Sequence, residues 1–225
     1  MVEKHEDYGM TERNRQEKRC RGRPRVRSDE ETRQLILEAA NQQFVKAGYA
    51  SANISVIAQT AGISTKTLYR LFPTKADLFS DVISKTINDY MLASDFEQLA
   101  KLPLRESLEK LLIAYGRLTL SHETIIMTRL VLGESERFPE IATAFYVRAI
   151  QKTSKTMEDW LQTRIASQEI EVQDAHAATG MLRGMMVMEP QRAVMLGQVE
   201  DIADGEIVAR AQACAQLFLE GTRAR

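Results

Sequence analysis

The sequence predicts an all-α protein with a small helical unit at its N-terminus and a larger helical unit after it. Apolar residues recur every three or four positions along most of the 225 residues, and no long segment alternates apolar and polar residues as a strand would. Only 5 prolines and 11 glycines interrupt this pattern. A hydrophobic fraction of 44% and a charged fraction of 27% are ordinary for a globular protein, so the chain can bury a sizeable core.

The expected helices of the first unit begin and end at capping residues. Ser28 and Asn53 are suitable N-caps because their side chains can accept a hydrogen bond from an early backbone N–H of the next helix. Gly48 can end the first helix, and Thr74 with Asp77 three residues later resembles a capping box. We therefore expect helices over residues 29–47, 54–61, 64–72 and 74–92.

The rest of the chain continues as helices with short breaks. Pro139 suits the first turn of a helix, whereas Pro190 is expected to end one. Residues 191–197 would then form at most one additional turn. The helices expected here cover residues 104–121, 122–132, 139–166, 172–188 and 202–222.

The segment ISVIAQTAGISTKTLYRLF, residues 54–72, has the pattern of two short helices that cross through a tight turn. Ala58 is small enough for the helices to touch, and Gly62 can adopt the left-handed conformation that the turn needs. Apolar residues fall where the wedge between the helices must be filled, at Ile57, Ala61, Ile63, Leu68 and Leu71. A purely structural helix–turn–helix is the alternative to a DNA-binding one.

The outward face of the second helix favours DNA binding. Thr65, Lys66, Tyr69 and Arg70 share this face, which offers hydrogen-bond donors and contains no carboxylate. Such a set suits the base edges of the major groove and the flanking phosphates. Lys75, at the start of the next helix, adds a charge that favours a phosphate.

The basic segment RCRGRPRVR, residues 19–27, has arginine at every odd position. Gly22 and Pro24 disfavour a helix there, and the arginines repel one another. The segment is therefore expected to be extended, either as an arm that lies in the minor groove of A·T-rich DNA or as a solvated tail or targeting run.

Charge is distributed unevenly along the chain. Residues 1–75 contain 14 Lys and Arg against 9 Asp and Glu, a net charge of +5, whereas residues 76–225 contain 16 against 22, a net charge of −6. The basic first third is expected to meet a polyanion, and the acidic remainder is not.

Other functional classes lack support in the sequence. No apolar run approaches the roughly 20 residues that span a bilayer, and the N-terminus has no apolar signal-peptide core. Cys20 and Cys214 do not make a disulfide framework, and the three histidines lack metal-ligand spacing. We therefore expect a cytoplasmic protein that is not an enzyme and uses no metal or cofactor. An all-helical enzyme or carrier is the remote alternative.

The segment TAGISTKTLYRLFPTKADLF resembles the DNA-binding signature of the tetracycline-repressor (TetR) family of bacterial regulators. The resemblance implies a recognition helix over residues 64–72. Ala52 and Leu71 depart from the family pattern, which often has Thr and His there; the first departure removes one candidate phosphate contact. The DNA-contacting residues implied by the resemblance and by the basic arm are Arg21, Arg23, Arg25, Asn53, Ser55, Ser64, Thr65, Lys66, Thr67, Tyr69, Arg70 and Lys75.

The later segment TRLVLGESERFPEIATAFY resembles the C-terminal domain of the AefR-like branch of that family. This resemblance implies a flexible arm over residues 1–27, a DNA-binding domain over 28–75, and a ligand-binding and dimerisation domain over 76–225, with about nine helices. The implied protein is a homodimer that binds a palindromic operator in double-stranded DNA with A·T-rich flanks. Methionine-rich and aromatic positions suggest the lining of a pocket, namely Met91, Tyr115, Met127, Phe145, Trp160, Met181 and Met185.

Two glycines four residues apart, Gly180 and Gly184, would let another helix approach closely. Together with the apolar stripe of the last helix they suggest a four-helix dimer interface, formed by Gly180, Gly184, Met188, Ala211, Cys214, Leu217 and Phe218. Few charged residues interrupt the inner faces, so we expect an apolar or aromatic ligand rather than an anion. The expected function is a repressor released from its operator by that ligand; an activator or a regulator without a ligand is the alternative.

Overall fold

The computed structural model describes residues 27–92 and 96–222, without the side chains of residues 90–92, 96, 97 and 100. The predicted all-α fold is confirmed, because this part of the chain contains helices and no strand. None of the helices described is both long enough and apolar enough to cross a membrane. The helices are α1 (Asp29–Ser51), α2 (Ile54–Thr60), α3 (Thr65–Leu71), α4 (Lys75–Leu92), α5 (Phe96–Lys101), α6 (Leu104–Thr119), α7 (His122–Glu134), α8 (Pro139–Phe145), α9 (Lys152–Ala166), α10 (Ala175–Met195) and α11 (Asp204–Thr222).

The first helix begins and breaks at the residues that the sequence predicts. The Ser28 hydroxyl accepts a hydrogen bond from the backbone N–H of Glu31 at 3.1 Å, and the Glu31 carboxylate accepts from the Ser28 backbone at 2.8 Å. This reciprocal pair is a capping box. Gly48 has a positive φ of 77° and interrupts the helix, which continues for one short turn beyond it to Ser51.

The prediction that Pro190 ends a helix is wrong. Helix α10 continues through this buried proline to Met195, and the predicted extra turn is part of it. A proline inside a helix removes one backbone hydrogen bond, so the surroundings must compensate. The carbonyl that loses its helical donor is that of Met186, four residues earlier. The neighbouring Met185 carbonyl accepts from Arg210 of α11 at 3.0 Å, and Arg210 pairs with Glu189 at 2.9 Å, so α11 holds this part of α10.

Further differences concern helix bounds: α10 begins at Ala175 rather than at residue 172, and α11 begins at Asp204 rather than at residue 202. Helix α5 was not expected from the sequence, and α7 extends two residues beyond the expected end at Leu132. The helix expected over residues 139–166 is continuous, but the segment Tyr146–Gln151 between α8 and α9 is a π-helix. A π-helical turn holds an extra residue, so it changes which side chains point inward, and such turns are frequent at functional sites.

The core has two clusters, one at each end of the molecule. The first contains apolar side chains of α1 to α4 together with Leu118, Met127, Val131, Ile141 and Ala149 from later helices. The second packs α6 and α9 against α10 and α11. The helix–turn–helix unit therefore shares its core with α7, α8 and the π-helical segment, and movements of these helices can reach it.

Candidate functional site

The turn between α2 and α3 has the geometry that its sequence predicts. Gly62 has a positive φ of 68°, and its neighbour Ile63 donates a backbone hydrogen bond to Ala58 at 3.0 Å. Ala58 and Leu68 are both 1% exposed, so the two helices touch closely around them. This packing fixes the angle between α2 and α3 and thereby the direction in which α3 faces solvent.

Several polar residues predicted to contact DNA also cap the two short helices. The Asn53 side chain accepts from the backbone N–H of Ser55 at 2.8 Å. The Ser64 hydroxyl accepts from the backbone N–H of Thr67 at 3.1 Å and lies 2.9 Å from the Thr67 hydroxyl. Asn53, Ser55 and Ser64 remain exposed, whereas Thr67 is half-buried. These caps hold the first turns of α2 and α3 in place.

The outward face of α3 presents Thr65, Lys66 and Tyr69 to solvent, with Tyr69 51% exposed. Arg70 is exposed on the same side, but its guanidinium forms two hydrogen bonds of 2.7 Å to the carboxylate of Asp29. This contact raises the pKa of Arg70 and lowers the pKa of Asp29. The sequence of α3 suggested a surface without carboxylates. In the structure, α1 places the Asp29 carboxylate beside that surface.

Lys75 is the first residue of α4 and is half-buried. Its ammonium donates to the Ala50 carbonyl at 3.2 Å and lies 4.9 Å from the centre of the Tyr49 ring. Burial lowers its pKa, with the Glu134 charge opposing that shift. In the structure, Lys75 thus joins the start of α4 to the end of α1.

Sequence reasoning missed two residues that position the DNA-binding unit. Arg33 of α1 donates to the Leu71 carbonyl at the end of α3 and forms a 2.6 Å ion pair with Asp81 of α4. Glu134 of α7 accepts from the backbone N–H groups of Tyr49 and Ala50 at 3.0 and 2.9 Å. Each contact joins residues far apart in the sequence, so no local pattern signals it.

The Glu134 contact depends on the absence of a side chain at Gly48. A Cβ atom there would lie 2.8 Å from a carboxylate oxygen of Glu134, in addition to the strain of a positive φ. The adjacent Tyr49 is 4% exposed, and its hydroxyl lies 3.4 Å from the Glu140 carboxylate. Burial, with the neighbouring Glu140, raises the pKa of Tyr49 to about 12.

Three of the predicted DNA-contacting residues, Arg21, Arg23 and Arg25, lie outside the described residues. The description begins at Arg27, whose guanidinium lies 3.8 Å from the position that a Cβ atom on Gly62 would take. The Arg27 side chain, just before the start of α1, therefore lies beside the turn of the helix–turn–helix.

A cleft of about 340 Å³ lies within the larger helical unit. Its walls come from α4, α6, α7, α10 and the π-helical segment. This volume is within the range of typical small-molecule pockets. Its lining residues are Ile87, Tyr115, Leu118, Thr119, Thr124, Thr128, Phe145, Ala149, Ile150, Thr153, Gly180, Arg183, Gly184, Val187, Met188 and Gln191.

The residues proposed from the sequence for the pocket occupy different places. Tyr115 and Phe145 line the cleft, and Met127 with Phe145 lines a much smaller adjoining space of about 30 Å³. Trp160 does not line the cleft; it is 7% exposed, and its ring N–H donates to the Ser107 hydroxyl at 2.6 Å. Met181 is 68% exposed, Met185 packs on the second core cluster, and the Met91 side chain lies outside the described part.

The residues proposed for the dimer interface also divide into two groups. Leu217 is exposed, whereas Ala211, Cys214 and Phe218 of the same helix are buried in the core of their own chain. Burial raises the pKa of the Cys214 thiol. The apolar stripe of α11 therefore faces α6, and a proposed interface must use its other side. Gly180, Gly184 and Met188 line the cleft.

These features define a class of protein: a helix–turn–helix unit joined to a helical unit that encloses a cleft. Residues 36–82 match the family described as bacterial regulatory proteins of the tetR family. Residues 106–221 match the C-terminal domain of AefR-like transcriptional repressors. The chain belongs to the TetR family of helix–turn–helix transcriptional regulators, as the resemblance in its sequence predicted.

Individual relatives agree with this assignment. The chain is 25% identical over 133 residues to the uncharacterised HTH-type transcriptional regulator YhgD of Bacillus subtilis strain 168, a match that covers 59% of this chain and 66% of YhgD, just under two thirds of its length. A TetR-family regulator from Mesorhizobium loti has a TM-score of 0.77 at 22% identity, covering 88% of this chain and 99% of that one.

Two further solved structures share the fold. The flavonoid-responsive regulator FrrA is 24% identical, with a TM-score of 0.67 and coverage of 86% of this chain and 98% of its own. The transcriptional regulator FadR from Bacillus subtilis, solved in complex with stearoyl-CoA, is 23% identical, with a TM-score of 0.64 and coverage of 84% and 98%.

Proposed function

We propose that this regulator is a homodimeric repressor whose affinity for its operator falls when a small molecule with an apolar or aromatic body occupies the cleft. The observation that carries the proposal is the position of the cleft. It is lined by α4 and α7, the two helices that also hold the DNA-binding unit.

The proposed DNA-binding surface is the exposed side of α3 with the N-terminal arm beside it. Thr65, Lys66 and Arg70 are the candidate readers of base edges, and Tyr69 contacts the backbone. We assign the arm to residues 1–27, the DNA-binding domain to 28–75 and the ligand-binding and dimerisation domain to 76–225. In a dimer, the two recognition helices must lie about 34–36 Å apart, one turn of the duplex, or a multiple of that distance.

Helices α4 and α7 connect the cleft to the DNA-binding unit, because each lines the cleft and contacts the DNA-binding unit at one end. Ile87 lines the cleft from α4, which begins at Lys75. Thr124 and Thr128 line it from α7, which ends at Glu134 on the Gly48 turn. A ligand that separates α4 from α7 would tilt the DNA-binding unit, and a small tilt misaligns both half-sites together. The ligand shifts binding only by the difference between its affinities for the two states.

Two structural relatives support a ligand in this unit. FrrA is named as flavonoid-responsive, and FadR was solved with stearoyl-CoA. Both names describe molecules with large apolar parts, which agrees with the largely apolar lining of the cleft.

The experiment has two parts and uses the full-length protein. Footprinting on genomic DNA first identifies the operator, and fluorescence anisotropy then follows the protein–operator complex during titration with stearoyl-CoA and flavonoids. We expect at least one compound class to release the DNA while light scattering shows an unchanged dimer mass. Release through monomers, or tight ligand binding without any effect on DNA, would contradict the proposal; tighter DNA binding with ligand would indicate the activator alternative.

A further inference from the structure

We infer that the ligand of the cleft carries an anionic group, such as a carboxylate, on its apolar body, and that Arg183 with Tyr115 recognises this group. The inference rests on the proposed function, because it concerns the same cleft. It also revises the expectation from the sequence that an anionic ligand is disfavoured.

Arg183 gives the cleft its charge. Among the described residues that line the cleft, it is the only charged one, and none is a carboxylate. The side chain is half-buried on α10. Arg183 has no ion-pair partner within the described structure. A partly desolvated cation without such a partner favours a ligand that supplies an anion, since it has lost solvation without gaining a partner.

Of the five other polar side chains that line the cleft, four donate to backbone carbonyls, and the fifth, Thr124, accepts from the Ser121 hydroxyl at 3.0 Å. The hydroxyls of Thr119, Thr128 and Thr153 each donate to the carbonyl four residues earlier, at 2.7 Å in every case. Gln191 donates to the Thr119 carbonyl at 3.2 Å. These groups therefore have little left to offer a ligand, so any strong polar recognition falls to the remaining donors.

Arg183 and Tyr115 are the neighbouring pair of donors that can bind an anion with more than one hydrogen bond. The Nε of Arg183 donates to the Tyr115 hydroxyl at 3.1 Å, and its guanidinium carbon lies 5.4 Å from the centre of the Tyr115 ring. Within the described structure, neither terminal nitrogen of Arg183 has a hydrogen-bond or ion-pair partner. Two parallel N–H groups suit a carboxylate, and the phenol, which accepts from Nε, can donate its own hydrogen to the same anion.

The space beside Arg183 is open. Gly180 and Gly184 flank it on α10, and a Cβ atom built on either glycine would meet nothing within 4 Å. A second depression, of about 580 Å³, adjoins the cleft and shares Ile150, Gly180 and Arg183 with it. Arg183 therefore lies where an apolar tail can extend into the cleft while an anionic head faces solvent.

The rim of that depression is basic on balance. Lys152 and Lys155 line it, together with Glu158 and His176. Lys152 donates to Asn88 at 2.5 Å, and Lys155 pairs with Asp159. The Asp159 carboxylate offsets the charge of Lys155, whereas the partner of Lys152 is a neutral amide. Lys152 therefore adds a favourable field for an anion, and Arg183 provides the direct contact.

Two fluorescent probes that differ in one charge test the inference. 1-Anilinonaphthalene-8-sulfonate has an aromatic body with a sulfonate, and N-phenyl-1-naphthylamine has the same body without it. Both are titrated into the full-length protein and into Arg183→Met, which keeps an apolar stem. We expect the wild type to bind one sulfonate probe per chain, and Arg183→Met to bind it about tenfold more weakly. The affinity for the uncharged probe should change by less than about twofold.

Three variants serve as controls. Arg192→Met removes an exposed arginine on the same helix outside the cleft and should leave both affinities unchanged. Arg183→Lys keeps a positive charge without the two parallel donors and should retain part of the preference for the sulfonate. Tyr115→Phe keeps the ring and should lower the affinity for the sulfonate probe only. Thermal unfolding of every variant confirms that the fold is intact.

The outcomes distinguish this inference from the proposed function. Equal losses for both probes in Arg183→Met, an unchanged sulfonate affinity, or no binding of either probe at one site per chain would overturn it. If the sulfonate probe binds through Arg183 but leaves the protein–operator complex intact at saturation, the anion site stands and release by ligand fails. If a compound releases DNA equally from wild type and Arg183→Met, release stands and the anion site fails.

Discussion

The DNA-binding unit and the ligand cleft use their polar side chains in opposite ways. In the DNA-binding unit, Asn53 and Ser64 satisfy the first turns of α2 and α3, and Arg70 is paired with Asp29 on the exposed surface. In the cleft, three of the four threonines donate their hydroxyls to the backbone, and Arg183 keeps its terminal nitrogens unpaired within the described structure. The first region is held ready as a rigid surface, whereas the second leaves space and one charge unsatisfied.

The two regions differ because reading DNA and binding a ligand need different packing. A surface that reads DNA needs one orientation, so its short helices are capped and closely packed. A cleft that binds a ligand needs open volume, so it is lined by glycines, threonine methyl groups and a π-helical segment. The Gly48 turn, where Glu134 of the second region contacts the first, is the place where a change in one can reach the other.

The largest effect is a loss of stability expected from Gly48→Ala, which places a methyl group in the contact between Glu134 and the Gly48 turn. The substitution places a Cβ atom 2.8 Å from Glu134 on a backbone with φ of 77°. We expect the free energy of unfolding to fall by roughly 3 kcal/mol, because alanine is strained at a positive φ and the hydrogen bonds to Glu134 are weakened. Chemical denaturation measures this. Gly133→Ala, where a Cβ meets nothing within 4 Å, is the matched control and should be neutral or slightly stabilising; an equal loss in both variants would contradict the prediction.

A smaller effect, confined to the DNA-binding side, is expected from Lys66→Ala. Removing this exposed side chain of α3 should weaken the binding free energy by about 1–3 kcal/mol for operators with the preferred base pair at one step. The preference for that base pair should be reduced. Binding to a panel of operator variants measures it, with Lys101→Ala in the second region as control. If the preferred sequence stays the same, base readout lies elsewhere. Release by ligand should be unaffected in either variant.

Deleting residues 1–27 tests the contribution of the arm, which adds charge to the DNA-binding side without adding core. We expect affinity to fall about tenfold for operators with A·T-rich flanks, less for G·C-rich flanks, and more at low salt. Thermal stability should be nearly unchanged. Equal losses on both kinds of flank would indicate a general electrostatic tail.

Asp29→Asn should raise the affinity for DNA modestly, whereas the two preceding changes lower it. The substitution keeps the shape of the side chain but removes the charge that holds Arg70 in the DNA-free protein. We expect DNA binding to tighten about threefold, because an exposed ion pair must otherwise be broken. Glu30→Gln removes the same charge from the next residue without touching Arg70. If it tightens binding equally, the effect is a general one of charge.

Tyr49→Phe, beside the Gly48 turn, is expected to change the free energy of unfolding least at neutral pH. Its difference from the wild type should change as the pH rises above 10. Burial raises the pKa of Tyr49 to about 12 in the folded protein, above its ordinary value near 10. A raised pKa contributes stability that is fully present below pH 10 and is lost as the pH rises towards 12. Unfolding measured across this window should therefore depend less on pH in Tyr49→Phe. Identical pH profiles would contradict the prediction.

Much of the DNA-binding unit could be predicted from the sequence because its signals act over short distances. A cap acts within three residues, as Ser28 with Glu31 and Ser64 with Thr67 show. The tight turn needs a glycine at one position and small residues near it, so Gly62 and Ala58 indicated it directly. The helical periodicity likewise predicted the all-α fold.

The contacts between distant residues could not be predicted from the sequence, because they depend on how the helices pack. The sequence could not indicate that Asp29 pairs with Arg70, that Arg210 supports α10 around Pro190, or that the α11 stripe faces its own α6. Each depends on how helices pack, which sets contacts across tens of residues. Arg183 is the clearest case: in sequence it is one more cation on a helix, and only the packing of α6 and α10 places it beside Tyr115 in the cleft.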